Sequence, residues 1–246
     1  MRLLVYNIAY GTGAHDSRSE NVLKSHRYIR THERHFEKIV DYIKSLEVDI
    51  IGLVEIDTGS YRNDQLNQVK TLADHLNHFH ICGVKYGEDS ILRRMPYLKS
   101  QSNAILTACE KEWSKFHYMP RGVKKLVIES RINDVHFFLV HLALTKRVRQ
   151  YQLDFLQTIL PKDEPVIIAG DFNTMRGDRE LHRFMDNCGL VSANAENIKT
   201  YPAWGAKKEL DYILCSKHIA IKDFEVPEVN FSDHHPLIMD FELKDI

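Results

Sequence analysis

Short apolar runs alternate along this chain with segments in which apolar residues recur every three or four positions. Leu3 to Ile8 is rich in β-formers and leads into a loop holding Gly11 and Gly13, with polar Asn7 near the end of the run. Phe36, Ile39, Val40, Ile43 and Leu46 then keep helical spacing with charge on the opposite face, and Val48 to Val54 reads as a short strand bounded by Glu55. Helix followed by strand is the alternation of an α/β protein. A second amphipathic helix is predicted around Leu66, Val69, Leu72, Ala73 and Leu76, leading to a strand from Phe79 to Val84. Between Lys85 and Ser102 no period is visible.

Asn103 to Thr107 and Lys125 to Ile132 read as strands, and Asn133-Asp134 is good turn chemistry before Val135 to His141. A hairpin there makes the sheet at least partly antiparallel. Val148, Tyr151, Phe155 and Ile159 mark a helix broken by Pro161, and Pro165 opens the run Val166-Ile167-Ile168-Ala169. Leu181, Phe184, Met185 and Cys188 suggest one more helix, closed by Gly189. Leu210 to Cys215, Ile219 to Val226 and Pro236 to Phe241 complete the strands. No repeat, low-complexity tract or coiled-coil period interrupts this order, and no linker divides the 246 residues, so a single domain over 1–246 is expected.

Composition narrows the class. A chain 43% hydrophobic and 27% charged can bury a core without disulfides or structural metal. Lys and Arg total 33 against 34 Asp and Glu, so no general field draws the protein onto nucleic acid or an anionic membrane. The four cysteines are far apart with no C-x-x-C pair, which favours buried free thiols in a reducing cytoplasm over disulfides. The N-terminal run is too short and lacks the small-residue cleavage site of a signal peptide, and no apolar stretch approaches the roughly 20 residues of a membrane span. A cytoplasmic monomer with no protein partner is expected.

Strands that end on polar residues recur: Asn7, Glu55, His141, Asp171 with Asn173, Asp211, and Asp233 with His234. Sites in layered α/β proteins gather at strand ends, where side chains distant in sequence converge. Singly, Asn7 is explained by a turn, Glu55 by a solvent-facing strand end, His141 by an edge position, and Asp211 by an ordinary strand. Gly170-Asp171-Phe172-Asn173-Thr174 is harder to dismiss, because extended-chain alternation points Asp171 and Asn173 to one side. Ser232-Asp233-His234-His235-Pro236 sets a polar cluster before an apolar strand; alternation sends His235 away from Asp233 and out of the site. These groups suit holding a divalent cation, orienting a water and gripping a phosphate, so phosphoester hydrolysis is the expected chemistry.

The ordered series Asn7, Glu55, Ser102-Asn103-Ala104-Ile105-Leu106, His141-Leu142, Gly170-Asp171-Phe172-Asn173, Leu210-Asp211-Tyr212-Ile213 and Ser232-Asp233-His234 resembles the endonuclease/exonuclease/phosphatase superfamily from Leu3 to Phe241. It is most similar to compact bacterial members, in which the His-Leu strand precedes a basic helix, here with Lys146, Arg147, Arg149 and Gln150. The resemblance implies a four-layer α/β sandwich: two mixed, mostly antiparallel β-sheets face to face with helices outside. The tyrosine that apurinic endonucleases place near the scissile phosphate has no match, so abasic-site specificity does not transfer.

The resemblance also implies roles. Glu55 is the main metal ligand with Asn7 and Asp233 nearby; hard oxygen ligands favour Mg²⁺, with Mn²⁺ as the alternative. Asp171 positions or deprotonates the attacking water, Asn173 donates to the phosphate, His234 is oriented by Asp211, and His141 binds the phosphate from the other side. Its orienting carboxylate is sought in the loop containing Glu88 and Asp89. Asn103, Arg62, Tyr97 and Trp204 are candidates for touching substrate, since basic residues interleaved with aromatics suit a phosphate beside a stacked base. A capped helix start at Asn63 or Asp64 is the plainer reading of the segment around Arg62. Two substrate readings stand: a phosphodiester in nucleic acid, or a lipid headgroup, sugar phosphate or nucleotide cut by a phosphodiesterase or phosphatase. A catalytically silent binding domain is the third reading, disfavoured because Glu55, Asp171 and His234 are all present.

Overall fold

The protein is described here from a computed structural model covering residues 1–13, 33–87, 90–91, 95 and 98–244. Two six-stranded sheets form its centre. The first has the order β11 (Ile219–Glu225), β12 (Leu237–Leu243), β1 (Arg2–Asn7), β2 (Ile50–Asp57), β4 (Gln101–Thr107), β3 (Phe79–Val84). The second runs β5 (Trp113–Tyr118), β6 (Leu126–Ile132), β7 (Val135–His141), β8 (Val166–Asp171), β10 (Asp211–Ser216), β9 (Leu190–Ser192). β1 with β2 and β7 with β8 are parallel; the other pairs are antiparallel.

Among the described residues, four α-helices cover the outer faces. α1 (Glu33–Ser45) and α2 (Gln68–Leu76) lay Phe36, Ile39, Ile43, Val69 and Leu72 on Leu4, Tyr6, Ile51, Leu53 and Leu106 of the first sheet. α3 (Lys146–Ile159) and α4 (Arg179–Cys188) pack Leu153, Leu156, Leu181 and Phe184 on Phe138, Val140, Ile168 and Leu214 of the second. Between the sheets lies a third apolar layer, in which Leu3, Val5, Val54 and Ile105 share one cluster with Phe137, Leu139, Ile167 and Ile213. Central strands buried on both faces explain why the sequence shows continuous apolar runs instead of strict alternation. Each such side chain fully withdrawn from water contributes about 1.5–3 kcal/mol.

Differences from the sequence reading have local causes. β5 is an edge strand with Trp113 and Phe116 part-exposed, and β9 has only three residues, so neither carries an apolar run. The second helix starts later than Asn63 or Asp64: Asn67 caps it by accepting from the Lys70 amide at 3.1 Å. β2 continues through Glu55 to Asp57 because a bulge between Leu53 and Ile56 absorbs an irregularity. At the expected hairpin, Asn133 and Asp134 both take positive φ (48° and 63°), as a type I′ turn requires.

The topology brings the polar strand ends to one edge. Asn7 pairs with Val54, His141 with Asp171, and Asp171 with Asp211 across the antiparallel β10. Ser232, just before β12, donates to the Asn7 carbonyl at 2.7 Å and ties the Asp233-His234 segment to the same edge. Gly170 makes the β7–β8 approach possible: its φ is +137°, and a Cβ there would lie 2.0 Å from the Val140 carbonyl oxygen.

Candidate active site

Asp171 ends β8, where the chain leaves the extended conformation. Its Oδ1 accepts from the Asn173 amide at 2.9 Å, and its Oδ2 accepts from Asn7 Nδ2 at 3.2 Å and lies 3.4 Å from His141 Nε2. Asn173 has φ 54°, so strand alternation does not join the two residues; a turn through the Asp171 carboxylate does. The Asn173 side-chain amide donates to Leu142 O at 3.0 Å, holding the end of β7 and leaving its second N–H uncommitted by that bond. Burial raises the Asp171 carboxyl to about 7, against the pull of the positive His234 and Lys124. A carboxyl poised near neutrality suits a proton acceptor.

Across the sheet edge, His234 Nδ1 lies 2.7 Å from Asp211 Oδ2, which also accepts from Thr200 Oγ1 at 2.6 Å. Burial opposes charge on the imidazole, but the Asp211 charge and hydrogen bond, with Asp171 and Asp233 nearby, lift it to about 10. The surrounding carboxylates thus favour the protonated form of His234. The Tyr201 ring covers it with centroids 4.9 Å apart. Sequence reasoning missed Thr200 and Tyr201, whose roles have no local signature.

Glu55 sits on the β2 bulge with φ 56°, an uncommon backbone state for a residue with a side chain. Its amide donates to Asn103 Oδ1 at 3.3 Å, so Asn103 joins the site as a support. Lys85 Nζ lies 3.5 Å, Lys124 Nζ 3.9 Å and His141 Nε2 4.0 Å from Glu55 Oε1. Burial pushes the Glu55 carboxyl up, yet the charges of Lys85, Lys124 and His234 and a hydrogen bond from Tyr10 leave it below its ordinary value. It is an ionised carboxylate at neutral pH.

Lys85 also bonds the Tyr10 hydroxyl and stands over the Tyr10 and Tyr86 rings at 4.9 and 5.4 Å, while Lys124 bonds His141 Nε2. Lys85 could have been found, since it is a polar residue at the end of an apolar strand, the rule that flagged Asn7 and Glu55. Burial, followed by the charges of Lys124, Lys85 and His234, drives the His141 imidazole well below its usual range. His141 is thus neutral, and among the described residues its buried Nδ1 has no hydrogen-bond partner, nor has Asn103 Nδ2. Glu88 and Asp89 lie outside the described residues, as do Tyr97 and the Arg62 side chain.

Trp204 lines a cavity of about 640 Å³ with Ile198, Lys199, Val226, Glu228, Asn230 and His235. The Ala203 amide before it donates to Asp233 O at 2.9 Å. His235, left out of the site on alternation, bonds Val229 O through Nδ1 at 3.2 Å.

The oxygen groups fit a hard divalent cation. Burial raises the Asp233 carboxyl, and the nearby negative Glu55 raises it further; a cation between two like charges relieves both. Asn7 is adjacent, its Oδ1 accepting from the Ala9 amide at 3.1 Å and its Nδ2 given to Asp171. Asp171, Asp211 and His234 also offer ligand atoms within 4.8 Å of one another. In that trio His234 Nδ1 is engaged by Asp211 Oδ2 at 2.7 Å, an arrangement that suits proton handling.

With this geometry in place, the comparisons with known proteins are decisive for the family. The profile described as "Endonuclease/Exonuclease/phosphatase family" matches residues 4–234, nearly the whole chain. The chain belongs to this endonuclease/exonuclease/phosphatase family. It is 27% identical over 226 residues to YbhP of Escherichia coli strain K12, covering 82% of this chain and 87% of that protein. In fold it is similar to a conserved protein of Enterococcus faecalis V583 (TM-score 0.74, 14% identity, 99% of this chain and 100% of that one). It is likewise similar to the mannosyl-6-phosphatase Bt3783 of Bacteroides thetaiotaomicron VPI-5482 (TM-score 0.71, 16% identity, 99% and 100% covered). The human Nocturnin catalytic domain with bound sulfate shares the fold at TM-score 0.69 and 20% identity, over 99% of this chain and 93% of that one. Family members are phosphoester hydrolases that generally use divalent metals, and this chain carries the buried acidic and histidine groups such chemistry needs. Among the described residues no helix is long and apolar enough to cross a membrane.

Proposed function

We propose that this chain is a divalent-metal-dependent hydrolase that cleaves the P–O bond of a phosphoester by attack of water. The observation that carries the reading is the juxtaposition of opposites at one sheet edge: Asp171, raised toward neutrality, beside a positively charged His234. Asp171 Oδ2 accepts a proton from the attacking water, while Asn7 and the Asn173 amide fix the carboxylate in place. His234, locked through Nδ1 by Asp211, stabilises the charge developing on phosphoryl or departing oxygen through its other nitrogen. Glu55, Asp233 and Asn7 would hold Mg²⁺, or Mn²⁺, which when bound neutralises charge on the phosphoryl oxygens.

This chemistry serves a diester in nucleic acid or a lipid headgroup as well as a monoester. Sulfate bound in the related Nocturnin fold supports an oxyanion site in this architecture. The test is turnover with Mg²⁺ or Mn²⁺ across single-stranded DNA, duplex DNA, RNA, sphingomyelin, phosphoinositides and sugar phosphates. Hydrolysis of at least one class, abolished in Asp171→Asn, is expected. A folded protein inactive on every class with both metals would refute the reading.

A further inference from the structure

We propose that Gln152 of α3 is a positioning residue of the active site: its amide locks the loop 119–125 onto the loop after β7 and thereby holds the Lys124 ammonium against His141. The inference rests on the hydrolase reading above and adds to it a residue outside the catalytic cluster.

Met119-Pro120-Arg121-Gly122-Val123-Lys124-Lys125 joins β5 to β6 with Arg121 and Val123 exposed, and its ends are closed by the Met119 amide donating to Lys125 O at 2.8 Å. What fixes the rest of the loop is α3. Gln152, fully buried, accepts from the Ala143 amide at 2.8 Å through Oε1 and donates through Nε2 to Lys124 O at 2.8 Å and Arg121 O at 3.0 Å. The oxygen and both N–H groups of the amide are thereby engaged, and a reversed amide would set its oxygen against two carbonyls. Gly122 lets the loop come this close: its φ is +98°, and a Cβ there would lie 2.9 Å from both Gln152 Nε2 and Val148 Cγ1. Beside it the Arg121 guanidinium stands over the Tyr151 ring at 4.0 Å.

Ala143 lies just past His141, the end of β7, so Gln152 spans the gap between the loop carrying Lys124 and the strand carrying His141. Lys124 is what the loop delivers. Its ammonium bonds His141 Nε2 and lies 3.9 Å from Glu55 Oε1, and His141 Nε2 is 3.4 Å from Asp171 Oδ2. An ammonium can only donate, so Nε2 accepts and the neutral imidazole carries its proton on Nδ1. The place of Lys124 and the tautomer of His141 are thus set by a side chain that itself bonds only backbone.

Two readouts on the whole chain test this. The first is a double-mutant cycle of Gln152→Met and Lys124→Met on kcat/KM with Mn²⁺, using whichever ester of the panel above wild type cuts fastest. Each single variant is expected to lose about 10- to 100-fold, the scale of a group misplaced by about 1 Å, and the double variant no more than about twofold beyond Lys124→Met. The second is the His141 imidazole in long-range ¹H–¹⁵N spectra at pH 8 without metal, assigned against His141→Gln. Wild type is expected in the Nδ1–H form, and either single variant is expected to move toward the Nε2–H form. Should Gln152→Met fail to fold, Gln152→Asn, an amide one methylene shorter, takes its place. Losses that multiply in the double variant, a Lys124→Met rate within about twofold of wild type, or a His141 tautomer indifferent to Gln152 overturns the proposal. If wild type cuts no ester of the panel while the tautomer responds, the positioning role stands and the hydrolase reading falls; if esters are cut and the tautomer does not respond, the hydrolase reading stands and the positioning role falls.

Discussion

Two buried ionic clusters meet at Asn173, and they are built in opposite ways. Arg149 of α3, 1% exposed, gives Nε and Nη2 to Glu180 and Nη1 to the carbonyls of Ala143, Leu144 and Asn173, the last at 2.7 Å. Burial raises the Glu180 carboxyl, the Arg149 bonds outweigh it, and the net position is below the ordinary value. Arg149 is the buried partner of Glu180, with the exposed Lys146 ammonium 3.6 Å from the other Glu180 oxygen, and the loops after β7 and β8 are clamped. On the other side of Asn173, two lysines share Glu55, Asp171 is pushed up, His141 is pushed down, and two buried donors lack partners. Buried charge alone therefore does not mark function. A group pushed away from its ordinary charge state does, because a ligand or a reaction can satisfy it.

The contrast breaks most readily at the proton-handling pair. Asp171→Asn and His234→Ala are each expected to cut turnover by about 10²–10⁴ with melting nearly unchanged, since both act in the transition state. Parallel losses of melting temperature and rate would place them with the structural cluster. Glu55→Gln should lower kcat/KM by about a thousandfold, roughly 4 kcal/mol, because a neutral amide holds a hard cation poorly. Metal binding followed by calorimetry should weaken in the same variant.

Arg149→Met should behave in the reverse sense. Leaving Glu180 buried without its partner costs about 3 kcal/mol or more of stability in urea unfolding, and Arg149→Met with Glu180→Leu should recover much of that. A double variant as unstable as the single would show that the clamp is more than a matched pair.

The smallest effect expected is the pH profile. Asp171 must be ionised to accept a proton, so kcat/KM falls about tenfold per unit as pH drops below about 7. His234 must carry its proton, so activity is lost again as pH rises through about 10. His234→Ala should erase the alkaline limb and leave the acid one.

Much of this was legible in the residues, for identifiable reasons. The residues Asn7, Glu55, His141, Asp171, Asp211 and Asp233-His234 could be read because a polar group bounding an apolar run is visible along one dimension, and parallel and antiparallel pairing then gather them. The Asp211–His234 pair, implied by family resemblance, is found at 2.7 Å. The four cysteines are free, as expected, but only Cys215 is buried. Orientation was harder. Asn173 turns an amide N–H onto Leu142 where a left-handed residue follows the strand, and Trp204 borders a cavity with Val226, Asn230 and His235. Neither arrangement leaves a mark in periodicity. Lys85 and Thr200 were passed over because each acts through a partner more than 25 residues away or through a side chain that the sequence pairs with nothing.

The most direct measurement is phosphoester turnover by protein stripped of divalent metal with a chelator and then supplied with Mg²⁺ or Mn²⁺, run beside Glu55→Gln. The account predicts negligible activity in the stripped wild type, full recovery on adding either cation at millimolar concentration, and no comparable recovery in Glu55→Gln. Undiminished hydrolysis by the metal-free wild type, or equal rescue of the variant, would contradict it.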